Sequence, residues 1–318
     1  MTPSASNASS ALFLALIDDA SLFPPARLPM RESLVAHRRD RESAYAGFAG
    51  RYVVPASRGG ELLAQREPGV PLRLAVILDG AATGDWELGF AADLERVAAL
   101  GAADGVRVEA LEVRVPATDG FDAARLARAV ATVPAGAGDE PPAIWFEWPY
   151  DGRWTQAPDA SLAILAEAAA VAHATPGARA RVGAKVRCGG LESRFFPTVE
   201  DLAAFVIAAQ AHGVPWKATA GLHHPFRGKS GAFMMHGFLN LFVAAIALHA
   251  GAITADRVAL VIGEADARAF AVDGLHVAWR DARVDADGVT AARAHATSYG
   301  SCSFREPIVD LLRAGLLA

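Results

Sequence analysis

Eight short strand-like runs recur along this chain with helix-patterned stretches between them, and no other feature restricts its fold so strongly. The runs are LIDDA, YVVPA, LRLAVILDG, VEALEVRVP, AIWFEWP, RVGAKVRCGG, WKATAGLHH and SYGSCSF. Several are near-continuously apolar, the mark of strands buried on both faces and paired in parallel beneath helices. Eight βα units can close into a (β/α)8 TIM barrel; a doubly wound open sheet is the rival. A length of 318 residues accommodates one large barrel or two ordinary domains, and the unbroken repeat favours a single barrel over 1–318.

The stretches between the runs carry helix signals. In PTVEDLAAFVIAAQAHG, Thr198 can cap, Glu200 and Asp201 suit the positive end, and Gly213 can end the helix. Alanine-rich Ser161 to Ala174 is amphipathic. One segment departs from the repeat: residues 270–288 contain AFAVDGLHVAWRDARVDADG, which reads as a β-hairpin with an Asp273-Gly274 turn, inserted before the last strand. There it lies on the barrel's N-terminal face, where a homo-oligomer contact is a better expectation than catalysis. Residues 1–10 read as a flexible terminus.

Composition removes several function classes. A net charge of −5 and the absence of an aromatic-interleaved basic stripe argue against nucleic acid as a partner. Cys188 and Cys302 have neither zinc nor redox spacing, and a small buried side chain is the plain reading of each. The N-terminal apolar stretch lacks a basic flank and is cut by Asp18 and Asp19, so no secretory signal is read and a cytoplasmic location is expected. The run Phe233 to Ile253 contains His236, Asn240 and His249, which suits a buried core helix better than a membrane span. The Arg38-to-Glu42 charge run reads as a solvated helix face.

A barrel of this kind builds its active site from the C-terminal ends of its strands. Those ends offer Asp79 on the third strand, Glu112 and Arg114 on the fourth, and Glu147 on the fifth. The sixth offers Lys185 and Arg187, the seventh Lys217 and Thr219, and the eighth Ser301 and Ser303. Period-two alternation puts Lys185 with Arg187, Lys217 with Thr219, and Glu112 with Arg114 on common faces. A buried lysine is costly unless its charge is answered or its chemistry used. One reading is a structural ion-pair network. The other is an amine that a neighbouring cation drives to lose its proton, so that it attacks a carbonyl and forms a Schiff base beside a carboxylate base.

The strands GAKVRCGG and WKATAGLHH, joined by the TVED-capped helix, resemble those of the deoxyribose-phosphate aldolase family of class I aldolases. LIDDASLFPPA, RYVVPAS, IWFE and YGSCSF are similar to that family's first, second, fifth and eighth strands, so the likeness spans nearly the whole chain in order. It implies that Lys185 forms the Schiff base, that Lys217 depresses its pKa, and that Glu112 stands where the family has an Asp used for proton transfer. Glu147 is the second candidate for the base, or else pairs with a lysine. The implied substrate is a small aldehyde or keto compound, and no cofactor is called for.

Departures from the family pattern bear on the substrate. The seventh strand ends in AGLHHPFRGKSG, with Ala220 in place of a glycine and His223-His224 in place of a basic residue. A phosphate site either survives here in altered form, using Arg227 or Lys229 with Ser301 and Ser303, or is gone. Arg187 replaces a small hydroxyl residue; it either binds a substrate carboxylate or phosphate or pairs with Glu147 or Glu112. A metal-dependent hydrolase or isomerase, with His223 or His224 joining Asp79 and Glu147 on a divalent ion, is the rival enzyme. A barrel that binds a metabolite without turnover is the non-enzymatic rival. Trp145, Trp148 and Trp216 read as core aromatics or as pocket walls.

Overall fold

The computed structural model describes residues 7–82, 84–116, 122–133, 141–148, 158–174 and 180–317. Eight parallel strands close into a barrel, as the repeat predicts. Each carries apolar residues outward against a helix. The order along the chain is α1 (Ala8–Phe13), β1 (Ile17–Asp19), α2 (Met30–Arg41), β2 (Ala49–Pro55), α3 (Gly59–Gln65), β3 (Leu72–Ile77), α4 (Trp86–Gly101), β4 (Val106–Arg114), α5 (Ala123–Ala131) and β5 (Ala143–Glu147). Then follow α6 (Pro158–Ala174), β6 (Val182–Arg187), α7 (Val199–Ala211), β7 (Trp216–Thr219), β8 (Gly228–Ser230), β9 (Phe233–Met235), α8 (Phe238–His249) and α9 (Ala255–Gly263). The chain ends with β10 (Phe270–Val272), β11 (His276–Trp279), β12 (Ala282–Asp285), α10 (Ala286–Arg293), β13 (Ala296–Ser301) and α11 (Arg305–Arg313). The barrel order is β1-β13-β7-β6-β5-β4-β3-β2.

Two layers of apolar packing hold it. Outward residues of the strands join the helices in one large cluster, while Val53, Ala75, Ala110 and Trp145 fill the barrel interior. Gly183 is required there: a Cβ on it would lie 2.3 Å from the Trp145 ring and 2.5 Å from the Pro215 carbonyl. All three tryptophans near the strand ends are core residues, since Trp216 packs on Phe205 and Phe242 and Trp148 lies against the main cluster. Helix α8 is buried along most of its length, but it occupies only Phe238–His249 of the run expected as a core helix, since Phe233–Met235 form the partly exposed strand β9. Among the described residues no helix is long and apolar enough to cross a membrane.

Thr198 caps α7 in a reciprocal box with Asp201, and Gly213 takes φ +63° just beyond the helix. Two expectations need correction. The segment 270–288 is a three-stranded antiparallel sheet, β10-β11-β12, whose last residues already belong to α10; Phe270 pairs with Trp279 and His276 with Asp285. Within residues 1–10, Ala8–Ser10 begin α1, which is capped by the Asn7 side chain and bound to the inserted sheet through Ala8 N–H to Gly274 O and Ser9 N–H to Asp273 O, both 3.0 Å. Residues 1–6 lie outside the described residues. Arg293, at the end of α10, donates to the carbonyls of Leu12 and Leu14 at 3.0 and 2.9 Å and to those of Ala296 and Thr297, tying α1 and the start of β13 together on the N-terminal face.

Candidate active site

Strand alternation aims Asp18 of β1, Glu112 and Arg114 of β4, Glu147 of β5, Lys185 and Arg187 of β6, and Lys217 and Thr219 of β7 away from the helices. Their outward neighbours, such as Ile17, Val113, Phe146, Val186 and Ala218, join the outer core. Register then sets the partners. Lys185 pairs with Lys217 and Arg187 with Thr219 across β6 and β7, and Arg114 pairs with Glu147 across β4 and β5. The six acidic and basic groups from Asp18 to Arg187 fall into a single buried chain of ion pairs.

Lys217 Nζ donates to Asp18 Oδ2 at 2.7 Å and to Glu112 Oε1. Glu112 turns its other oxygen to Lys185 Nζ at 2.8 Å, and Lys185 also reaches Glu147 Oε2 at 2.8 Å. Glu147 Oε1 accepts from Arg187 Nε and pairs with its terminal nitrogen, both at 2.9 Å. Asp18 accepts two further bonds, from Ser298 Oγ at 2.8 Å and from the Arg51 backbone N–H at 2.7 Å. Lys185 is 7% exposed and Lys217 1%, so these pairs are shielded from solvent.

Burial alone would raise the carboxyl pKa values, but the cations outweigh it. Lys185 and Lys217 hold Glu112 down to about 2, and Lys185 and Arg187 hold Glu147 down to about 2. Lys217 and Arg51 likewise keep Asp18 below the usual range against its burial. For Lys185, burial favours the neutral amine, yet Glu112 and Glu147 overcome it and the pKa is raised. The Lys185 pKa is thus raised where the resemblance implies that it is depressed: Glu112 sits between the two lysine nitrogens and pairs with both.

The chain of ion pairs floors a cavity of about 480 Å³ at the C-terminal strand ends. Asp79, Thr219, His223 and Ser301 line it with Lys185, Lys217, Glu112, Glu147 and Arg187, so these expected residues converge. Asp79 is held by Ser57, which donates to it from its backbone N–H at 3.0 Å and from its hydroxyl at 2.5 Å. Four expected residues do not line the cavity, the exposed Lys229 of β8 among them. His224 turns away from His223 and bonds Asp310 of α11 at 2.7 Å, as neighbours in an extended segment must diverge. Arg227 is fixed by its backbone N–H to Asn240 Oδ1 at 2.9 Å. The Ser303 hydroxyl accepts from the Glu306 N–H at 3.2 Å, so it serves the first turn of α11.

The ligand set of the metal-dependent reading is already engaged. His223 Nδ1 bonds Glu306 at 3.3 Å, Asp79 holds Ser57, and Glu147 is shared by Lys185 and Arg187. Among the described residues no group of three or more His, Cys, Asp or Glu side chains is arranged to hold a metal ion. Of the cysteines, Cys188 is buried, which pushes its thiol up to about 12, and Cys302 lines the cavity 3.8 Å from His223 Nδ1.

Sequence reasoning missed Asp18, the innermost acid, whose only local signal is a charged residue amid the apolar LALI-DDA run. A second signal lay in the residue counts. The chain has 3 lysines, Lys185, Lys217 and Lys229, among its 30 basic residues, and two of the three meet in this cavity. No family model matches the chain, and no curated protein does.

Proposed function

We propose that this barrel is a class I aldolase-like carbon–carbon lyase in which Lys185 forms a Schiff base with a small aldehyde or keto compound. One observation carries the reading: two of the chain's three lysines are register partners that enter the same cavity, joined by one carboxylate. An ion-pair network built only for stability has no need of primary amines, since arginine pairs with carboxylates at least as well.

The resting charge arrangement holds Lys185 as the ammonium, so the chemistry begins by moving one of its protons to a neighbouring carboxylate. Lys185 passes a proton to Glu112, and the free amine attacks the carbonyl carbon, forming the C–N bond as the carbonyl π pair moves to oxygen. That oxygen leaves as water. The ammonium starts with three hydrogens and the iminium keeps one, so the lysine itself supplies both hydrogens of the water, relayed by Glu112. The positive charge ends where it began, between Glu112 and Glu147, so the carboxylates that hold the ammonium also hold the iminium. The iminium then takes up the electron pair of the Cα–Cβ bond, giving an enamine and releasing the Cβ fragment as an aldehyde whose hydroxyl proton a carboxylate accepts, or it takes up the pair of a Cα–H bond whose proton a carboxylate removes. Lys217, anchored by Asp18, keeps Glu112 in place between the two amines.

The same closed pairing is what a metabolite-binding barrel without turnover would possess, and one experiment separates the two. The protein is incubated with a panel of aldehydes and ketones, reduced with borohydride and weighed intact. A covalent mass gain equal to carbonyl compound minus water plus two hydrogens, lost in Lys185→Met, is the expected result. No gain with any compound removes the lyase reading and leaves the binding one.

A further inference from the structure

We propose that this cavity selects a carbonyl compound whose tail is uncharged and apolar, and that it excludes phosphorylated and carboxylated substrates; the inference rests on the Schiff-base reading above. The first observation is the charge balance. Among the described residues that line the cavity, the cations Arg114, Lys185, Arg187 and Lys217 are matched in number by the acids Asp79, Glu112, Glu147 and Glu192, and Asp18 behind Lys217 adds one more negative charge. An incoming anion meets no surplus of positive charge there, and burying it beside paired groups is costly.

Each cation is also engaged. Lys185 and Lys217 each hold two carboxylates, and Arg187 spends its fork on Glu147 with a further contact to the Gly189 carbonyl at 3.5 Å. Arg114 stands half-exposed with a terminal nitrogen 3.9 Å from Glu147 Oε1. For an anionic substrate to claim Lys185, Lys217 or Arg187, a buried carboxylate would lose a partner, and the loosely held Arg114 is left to face solvent at the rim.

The second observation concerns the loops after β7 and β13, where backbone amides and hydroxyls could cradle a phosphate. Here the two hydroxyls of the loop after β13 are engaged locally. Ser301 Oγ donates to the Ser303 carbonyl at 2.7 Å, and Ser303 Oγ accepts from the Glu306 N–H. Glu306 brings its own carboxylate to the first turn of α11, where it bonds His223, a cavity residue. A phosphate in that corner would face a carboxylate. Gly221, at φ +72°, is needed for close packing: a Cβ there would lie 2.7 Å from the Cys188 carbonyl and from Gly189 Cα.

The third observation is the wall. Above the charged floor the cavity is lined by Phe23, Ile77, Leu191, Phe195, Leu222 and Met235. Met235 belongs to the small β8-β9 hairpin, which stacks Phe233 on Phe196 with ring centroids 4.8 Å apart and so brings an apolar edge over the opening. A carbonyl held at Lys185 leaves the remainder of about 480 Å³ to its tail, and an alkyl chain matches that surface.

The test is capture of each aldehyde in turn. Wild-type protein is offered butanal, succinic semialdehyde and glyceraldehyde 3-phosphate separately at equal concentration, reduced with borohydride, and the adduct on the Lys185 peptide is quantified for each. Butanal is expected to label Lys185 about tenfold more than either anion, the factor that corresponds to ~1.4 kcal/mol. Equal or greater labelling by an anionic aldehyde, on Lys185, overturns the substrate class while leaving the Schiff-base reading intact. No labelling of Lys185 by any of the three overturns both, and labelling confined to Lys229 counts as none.

Discussion

Lys185 and Lys217 are register partners on β6 and β7, and Glu112 reaches both of their ammonium groups from β4 across the barrel. Two cations on adjoining strands would repel if left alone. A single carboxylate between them converts the repulsion into a chain of alternating charge that runs from Asp18 to Arg187. That alternation favours the charged forms of Glu112, Glu147 and Lys185.

The charge state of Lys185 is set by its two carboxylates, and its pH dependence follows. Removing one in Glu147→Gln takes away an interaction that favours the ammonium, so the folded pKa of Lys185 falls. The free amine is the nucleophile, so the pH at which borohydride trapping sets in moves down in the variant. Trapping yield measured across a pH series checks this, and an unmoved or upward-shifted profile would show that Glu147 does not govern the amine.

Acid sensitivity follows from the depressed carboxyls. Glu112 and Glu147 have folded pKa values of about 2 against an ordinary 4.5, so their contribution to stability is complete above 4.5 and is lost as pH falls toward 2. The thermal midpoint is expected to drop through that window. In Glu112→Gln the drop over the same window is shallower, which a pH series of melting curves would reveal.

Asp18 carries the buried end of the network. It accepts from Lys217, Ser298 and the Arg51 backbone, all within 2.8 Å, and its side chain is fully buried. Asp18→Asn leaves a buried cation poorly answered and should cost about 3–5 kcal/mol, the range for breaking one side of a buried pair. Asp79→Asn, at the cavity rim, should cost no more than about 1 kcal/mol. Urea unfolding of the two variants measures the contrast, and equal costs would contradict it.

Backbone contacts inside the barrel make a further prediction. Gly183→Ala pushes a methyl group into the Trp145 ring and the Pro215 carbonyl, and should destabilise by about 1–3 kcal/mol or more. Gly60→Ala, in α3 with nothing within 4 Å, should instead stabilise by about 0.5 kcal/mol. Denaturant midpoints moving in opposite directions would bear out both.

The barrel was legible because each strand carries its own signal: a short apolar run, bounded by turn residues, with polar groups at the C-terminal end. The lysines, Glu112 and Glu147 were legible for the same reason, since alternation within a strand decides which face a residue joins. Asp18 was not. Its partner Lys217 lies 199 residues away, and only ring closure of β1 against β13 brings them together. His224, Arg227 and Ser303 were misplaced because they lie beyond the strands, where no period fixes the direction of a side chain. Ala8–Ser10 read as flexible for want of local signals; their order comes from the inserted sheet, whose carbonyls at residues 273 and 274 accept from the Ser9 and Ala8 N–H groups. The Asp273-Gly274 turn marked β10 and β11 as a hairpin; the third strand, β12 (Ala282–Asp285), lies beyond that turn and is fixed by pairing with β11, His276 with Asp285 and Trp279 with Ala282.

The most direct test of the account is to identify which amine carries the reduced adduct. With lysines at 185, 217 and 229 alone, peptide mapping of the borohydride-treated protein gives an unambiguous answer. The account predicts the modification on Lys185, persisting with Lys229→Arg and abolished in Lys185→Met. An adduct on Lys217 with Lys185 unmodified, or no adduct on either buried lysine, would contradict it.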